Sequence, residues 1–270
     1  MRRFLLAALL SLTACGGGNS SSSPSVTPSQ PPAPRVIDFT FFGTSDTAVT
    51  APFTNVYMAV DWGPAGAQED IKLRMITEMQ QARARGVDRF ILGTGFLQFD
   101  AHCNYLGNAA LAAFKLQLVA LDLSRSVFML YPRDEPDVAG CNATEIAQAY
   151  NEARNIWPGV RIGVIYGDTG RTPGIDQATD VGRDKYGHGP QELNLRADQH
   201  LMLVAGGASP YREDPQQYVQ YAQTHANVSV VWAFLYVPYT GVNGEPEQGI
   251  GINGMLPQYR TAGCQLTMKC

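Results

Sequence analysis

Eight short apolar runs, rich in β-branched and aromatic residues, recur along the chain, most of them separated by helical or loop segments. This recurrence constrains the fold more than any other feature. The runs are Val36–Phe42, Asn55–Asp61, Arg89–Leu92, Val127–Tyr131, Arg161–Tyr166, Asp180–Asp184, Leu201–Ala205 and Val228–Val237. Several are near-continuous rather than alternating, as in Val127-Phe128-Met129-Leu130 and Ile162-Gly163-Val164-Ile165. That pattern suits parallel strands covered on both faces. Gln68–Arg85 places Ile71, Met75, Met79 and Ala82 at helical spacing and stops before Gly86. Asn142–Trp157 does the same with Ile146, Tyr150, Ala153 and Trp157, and Pro158-Gly159 ends it. Further helices are predicted over Asn108–Leu121 and Asp214–Thr224, the second with Asp214 as N-cap and Pro215 at the first helical position. Gly43–Thr54 is too short for an ordinary crossover helix, and Gly167–Thr179 reads as loop.

Right-handed strand–helix repetition either closes into a barrel or winds an open sheet. Eight strands in one domain of residues 36–270 favour a (β/α)₈ TIM barrel, with a doubly wound sheet as the alternative. No glycine-rich dinucleotide fingerprint follows the first run, and neither a Walker-type loop nor a Gly-x-Ser-x-Gly elbow occurs. Those omissions weaken the open-sheet enzymes.

Ahead of this domain, Met1-Arg2-Arg3 and the apolar run Phe4–Leu12 have the charged and apolar regions of a secretory signal, too short to span a membrane as a helix. Leu12-Thr13-Ala14-Cys15 resembles the lipobox of bacterial lipoproteins. The resemblance implies removal of residues 1–14, a mature chain that begins at acylated Cys15, and a place in the bacterial cell envelope. Gly16, where an aspartate would favour inner-membrane retention, implies sorting to the outer membrane. An ordinary signal peptide with an incidental cysteine is the alternative. Residues 15–35 then form a Gly/Ser- and Pro-rich tether with too few apolar side chains to bury. Fully extended, its 19 residues from Gly16 to Pro34 would reach about 60 Å.

The formal charge is −4, without a basic run, and loss of Arg2 and Arg3 makes the mature chain two units more acidic. Nucleic acid is therefore excluded as an expected partner. If Cys15 is acylated, the other four of the five cysteines form an even set in an oxidising compartment. We favour Cys103 with Cys141 and Cys264 with Cys270, the first joining loops that the strand reading places at one end of the sheet. No Cys-x-x-Cys occurs, and His102, His188, His200 and His225 form no ligand-spaced pair. Neither a metal nor an organic cofactor is implied.

In a (β/α)₈ barrel the active site lies on the loops after the strands. The second run ends in Asp61-Trp62, the fourth in Tyr131-Pro132-Arg133-Asp134-Glu135-Pro136, and the fifth in Tyr166-Gly167-Asp168. The sixth leads into Arg183-Asp184-Lys185-Tyr186, and the eighth holds Trp232 and Tyr236. Carboxylates, aromatics and a few cations at one mouth suit a carbohydrate site: acids run proton transfer at a glycosidic bond, and flat rings stack on sugars. A barrel-like chain whose fourth strand leads into Asp134-Glu135-Pro136 resembles the large clan of barrel glycoside hydrolases, in which that strand ends in Asn-Glu, often followed by Pro. The Asp180-Val181-Gly182-Arg183-Asp184-Lys185-Tyr186 phrase and Trp232 are similar to the sixth- and eighth-strand patterns of that clan.

The resemblance implies Glu135 as general acid/base and Trp232 as sugar platform, with Asp134 in place of the usual asparagine. The clan's seventh-strand glutamate has no counterpart in Leu201-Met202-Leu203-Val204-Ala205-Gly206-Gly207. A second carboxylate must then come from another strand, with Asp184 as base or nucleophile and Asp61 as the other candidate. Strand alternation predicts that Asp134 and Glu135 face opposite sides. Tyr186 and Arg133 would hold hydroxyls or steady charge, while Asp61, Trp62, Tyr131, Tyr166 and Tyr236 line the substrate side. The function expected is glycoside hydrolysis on a poly- or oligosaccharide. A barrel that keeps the aromatic mouth but only binds carbohydrate, or serves envelope assembly, is the alternative.

Overall fold

The computed structural model describes residues 34–43, 45–60, 68–137, 139–166, 181–184, 195–207, 212–240 and 246–270, with the backbone alone at 181–184, 239 and 247. They belong to one unit, Pro34–Cys270. Each apolar run contains a strand: β1 Asp38–Phe41, β2 Tyr57–Ala59, β3 Phe90–Gly93, β4 Val127–Tyr131, β5 Arg161–Val164, β6 Val181–Asp184, β7 His200–Gly206 and β8 Val228–Phe234. They form one sheet in the order β1-β8-β7-β6-β5-β4-β3-β2, and each adjacent pair is parallel. From β2 to β8 every strand lies beside its sequence neighbours, and β8 lies beside β1. A doubly wound sheet instead reverses its order midway, which excludes that alternative.

The helices are α1 Thr47–Thr50, α2 Gln68–Ala84, α3 Gly95–Gln98, α4 Ala109–Ala120, α5 Ala143–Ile156, α6 Pro215–Thr224 and α7 Leu256–Thr267. Local chemistry sets their ends. Asn142 caps α5 by accepting from the N–H groups of Thr144 and Glu145 at 2.9 and 3.3 Å. Asp214 caps α6 by accepting from Gln216 N–H at 2.9 Å, with Pro215 opening the helix. After α2, Gly86 takes φ +81°, the left-handed turn a glycine allows. Among its described residues the stretch 43–54 holds only the single turn α1, and 167–179 lies outside the described residues. A small antiparallel pair, β9 Tyr239–Thr240 with β10 Pro246–Glu247, follows β8.

Strand alternation sorts the core into layers. Met58, Ile91, Met129, Met202, Val230 and Trp232 share one inner cluster. The opposite faces of β2 to β5 pack on α2, α4 and α5, and those of β1, β7 and β8 on α6 and α7. Met75, Met79, Phe114 and Tyr150 are fully buried under the first group of strands, and each of the first three contributes roughly 1.5–3 kcal/mol. Helix α7 was not predicted. Its approach to β1 depends on Gly263, where a Cβ would lie 2.6 Å from the Phe53 carbonyl oxygen and 2.8 Å from the Phe39 ring. Disulfides join Cys103 to Cys141 and Cys264 to Cys270, with Cα separations of 5.2 and 5.1 Å. No described helix is long and apolar enough to cross a membrane.

Candidate active site

At the C-terminal ends of β1, β4 and β8 the inner layer becomes aromatic. Phe42, just after β1, lies 5.2 Å from Trp232 between ring centroids. Tyr131, the last residue of β4, stands edge-on to Trp232 at 5.7 Å and 89°, and to Phe42 at 6.1 Å. Edge-to-face contacts at these separations are favourable beyond their burial. Tyr131 continues the inward row of Met129, so its hydroxyl reaches the rim, where it donates to Asp134 Oδ1. One side chain thus ties the aromatic layer to the acidic turn.

That turn differs from its expected form. β4 stops at Tyr131, and Asp134-Glu135-Pro136 lies beyond it in a bend, so strand alternation does not decide where the two acids face. Glu135 adopts φ +39° and its carbonyl accepts from Ala139 N–H at 3.0 Å. The Pro136 carbonyl accepts from Cys141 N–H at 3.0 Å. Through the disulfide of Cys141, the turn is covalently tied to the loop after α3. Above β3, Thr94 N–H donates to the Tyr131 carbonyl at 3.1 Å, and buried Gln98 reaches the Ala149 carbonyl of α5 at 3.2 Å. The loops after β3 and β4 therefore brace each other.

Beneath the turn, the fully buried Tyr150 hydroxyl of α5 senses Tyr166, Arg133, Asp134 and Asp137. Burial holds this phenol well above its ordinary range; Tyr166, Asp134 and Asp137 raise it further and Arg133 opposes them. Three residues singled out from sequence, Arg133, Asp134 and Tyr166, thus act electrostatically on one buried hydroxyl. Tyr150 Oη and Arg133 Nε are buried and lack a hydrogen-bond partner among the described residues. The sequence reading assigned Tyr150 only to helix packing. Its place at the eighth position of α5, facing the ends of β4 and β5, was the signal available.

Trp232 does not present the accessible platform that was expected. It is 0 % exposed, at the centre of the inner layer, and packs behind Tyr131. Phe234, two residues further along the same face, is half-buried and packs at a tilt against Phe42, with ring centroids 5.5 Å apart. Tyr236 is also displaced: it packs on Phe41 at 5.2 Å in the layer facing α7, with a glycine at 251 to accommodate its ring. Asp184 is the last residue of β6, paired in register with Leu203; its side chain lies outside the described residues, as do Asp61, Trp62, Tyr186 and Cys15.

An acid does return to the end of β7. Glu213 accepts from Gly206 N–H at 2.7 Å and from the Tyr218 hydroxyl at 2.5 Å, while its own N–H donates to the Gly206 carbonyl at 2.8 Å. Tyr218 and Tyr259, which flank it, belong to the layer between sheet and helices. Glu213 therefore fastens α6 to β7 on the outer side of the sheet. Among the described residues, no group of three or more His, Cys, Asp or Glu side chains is placed to hold a metal ion.

No family model matches this chain, and no characterised protein matches it by sequence. Solved structures do. The endo-1,4-beta-mannanase of Eisenia fetida is similar over 87 % of this chain and 92 % of its own, with a TM-score of 0.53 at 8 % identity. The beta-1,4-D-mannanase of Cryptopygus antarcticus covers 84 % of this chain and 90 % of its own, with a TM-score of 0.52 at 11 % identity. An endo-beta-N-acetylglucosaminidase of Cordyceps militaris covers 85 % and 90 %, with a TM-score of 0.48 at 12 % identity. The two mannanases carry the comparison, and at such identities it concerns the backbone alone: this chain has the α/β, TIM-barrel type of fold on which these glycoside hydrolases are built.

Proposed function

We propose that this is a lipid-anchored protein of the bacterial outer membrane whose (β/α)₈ barrel is closed and hydrolyses O-glycosidic bonds in a β-linked poly- or oligosaccharide. The observation that carries the reading is Tyr131, which belongs to the aromatic layer and binds Asp134 in the Asp134-Glu135-Pro136 turn. The fold shared with two mannanases supports carbohydrate as the substrate class. Glu135 protonates the leaving oxygen; Asp134, held by Tyr131, orients a ring hydroxyl; Arg133 and Tyr186 steady charge and hydroxyls. Asp184 acts as base or nucleophile, with Asp61 as the other candidate. A carboxyl separation of about 6.5–9.5 Å from Glu135 would give inversion, and about 5–5.5 Å a covalent intermediate.

The test is reducing-sugar release from a panel of β-mannans, β-glucans and peptidoglycan-like glycans. Glu135→Gln should lower kcat by roughly 100-fold or more without lowering Tm, and wild-type turnover by this variant on a cleaved substrate rejects the assignment. A second reading, a non-catalytic carbohydrate-binding or envelope-assembly lipoprotein, is favoured by Glu213, since the acid at the end of β7 is committed to α6. Glycan binding without sugar release selects it. Incorporation of labelled palmitate, abolished by Cys15→Ala, tests the anchor.

A further inference from the structure

The chain enters the domain at a fixed point. Arg35 N–H donates to Gln223 Oε1 at 3.1 Å, and Gln223 Nε2 returns a bond to the Arg35 carbonyl at 3.1 Å. The Arg35 guanidinium donates to the carbonyls of Ala222 and Ala226 at 2.7 and 3.1 Å, and to that of His225. These carbonyls end α6, where the helix dipole is negative and a cation is favoured. Because α6 follows β7, its C-terminus lies at the N-terminal ends of the strands, away from the Asp134-Glu135-Pro136 turn.

The face around this entry is basic, in a chain whose net charge is −4. Arg83, Arg89 and Arg125, with Asp88, Asp122 and Ser126, surround an open cavity of about 460 Å³ between the ends of α2 and α4. Arg85 is exposed just after α2, and Lys269, at the end of α7, donates to the Thr54 carbonyl at 2.6 Å. Of the acids here, Asp38 is 12 % exposed at its side chain and paired with Arg89, Asp122 is paired with Arg125, and Asp88 lines the cavity beside them. With the terminal carboxylate of Cys270 included, the cations still exceed the anions. Exposed apolar side chains sit among them: Val36 at 62 %, Leu121 at 42 % and Met268 at 55 %. Cations interleaved with exposed apolar groups, on the face where a tether enters, match a bilayer interface.

We infer that this face docks on anionic phospholipid headgroups, so that the domain rests tether-side down with the β4 turn directed away from the bilayer. The inference rests on the lipid-anchor reading for its setting, but its chemistry is independent of acylation. The cavity between Arg83, Arg89 and Arg125 receives a headgroup phosphate, while Val36, Leu121 and Met268 contact the acyl boundary. Docking uses less than the full reach of the tether and turns a loose anchor into a defined orientation.

The experiment uses the mature chain with Cys15→Ser, so that no acyl chain contributes, and measures sedimentation with phosphatidylglycerol or phosphatidylcholine vesicles. Binding to the first, absent from the second and weakened by salt, is expected. Each arginine near such a surface contributes roughly fivefold to partitioning, so Arg85→Glu with Arg125→Glu should reduce binding about 25-fold or more. Arg260→Glu on the exposed flank of α7 makes the same kind of charge change elsewhere and should leave most binding intact. Unchanged Tm in all variants shows that folding is retained. Equal binding to both vesicle types, or equal loss with Arg260→Glu, overturns the inference. If Cys15 is palmitoylated in cells yet the Cys15→Ser chain ignores phosphatidylglycerol, docking fails while the anchor stands. The reverse result rejects the anchor alone.

Discussion

Asp100 governs the turn that holds Cys103 in place. Its Oδ1 accepts from the N–H groups of His102 and Asn104 at 2.8 and 2.9 Å, and its Oδ2 from Asn104 Nδ2 at 2.8 Å. Cys103 sits inside at φ +66°, in the manner of turns closed by an aspartate side chain. The Asn104 side chain and then its N–H, with the His102 N–H, hold the Asp100 carboxyl below its usual range. A carboxyl whose folded pKa is depressed adds stability above its unfolded pKa of about 4 and loses it as pH falls through the folded value. Amide exchange at His102 and Asn104 should therefore accelerate on acidification beyond the intrinsic pH trend, and Asp100→Asn should flatten that response. An acid response surviving in Asp100→Asn would assign it to another group. The same scale shows what the sequence could express. Tyr131, Arg133, Asp134 and Tyr166 were legible because each stands in or just after an apolar run. Trp232 and Tyr236 were named but misjudged, since an apolar string such as Val230-Val231-Trp232-Ala233-Phe234 fixes parity without revealing which ring reaches the rim. Glu213 was missed because the chain leaves β7 and comes back before its carboxylate meets Gly206.

Among the elements, the eight strands and four long helices were readable from period, caps and glycine stops. Helix α7 was overlooked, although Pro257 and the spacing of Tyr259, Ala262, Gly263 and Leu266 carry the same signal; its mixed composition hid the stripe. The single turns α1 and α3 are too short to show a period. The Cys103–Cys141 bridge links two such elements, the loop after α3 and the start of α5, across 38 residues of sequence. Closing a loop of that length restricts the unfolded chain by about 4 kcal/mol, against about 2 kcal/mol for the six-residue separation of Cys264 and Cys270. Replacing Cys103 and Cys141 together by serine should lower Tm by roughly 10 °C, and replacing the C-terminal pair by about half as much. Calorimetry on both double variants checks the ranking. Losing the first pair should also weaken any carbohydrate binding, because the bridge ties residue 141, whose N–H supports the Pro136 carbonyl in the acidic turn, to the loop after α3. Equal Tm losses would show that loop length does not set these contributions.

For the molecule as a whole, sequential strand order leaves one seam, between β1 and β2. Among the described residues no strand ladder crosses it, yet the inner cluster is shared by Phe42 on one side and Val56, Met58 and Val60 on the other. Asn55 spans the gap. Its Oδ1 accepts from Phe39 N–H at 2.9 Å, its Nδ2 donates to Asp38 Oδ1 at 3.2 Å, and its own N–H donates to the Phe39 carbonyl at 3.4 Å. An amide side chain here does what a ladder does elsewhere, offering a donor and an acceptor where the strands diverge. This role was invisible in sequence, since an asparagine before an apolar run reads as an ordinary turn residue. Asn55→Leu keeps comparable volume but leaves the Phe39 N–H, on a residue 1 % exposed, without its acceptor. A buried donor so stranded costs about 1–3 kcal/mol, or roughly 2–12 °C in Tm. If Asn55 holds the seam, amide exchange in Asn55→Leu should rise at Phe39 and Tyr57 while β7 and β8 keep their protection, because their ladder is untouched. A Tm loss with exchange raised uniformly across the sheet would mean that the seam opens only with global unfolding and that packing of the inner cluster, rather than Asn55, carries it.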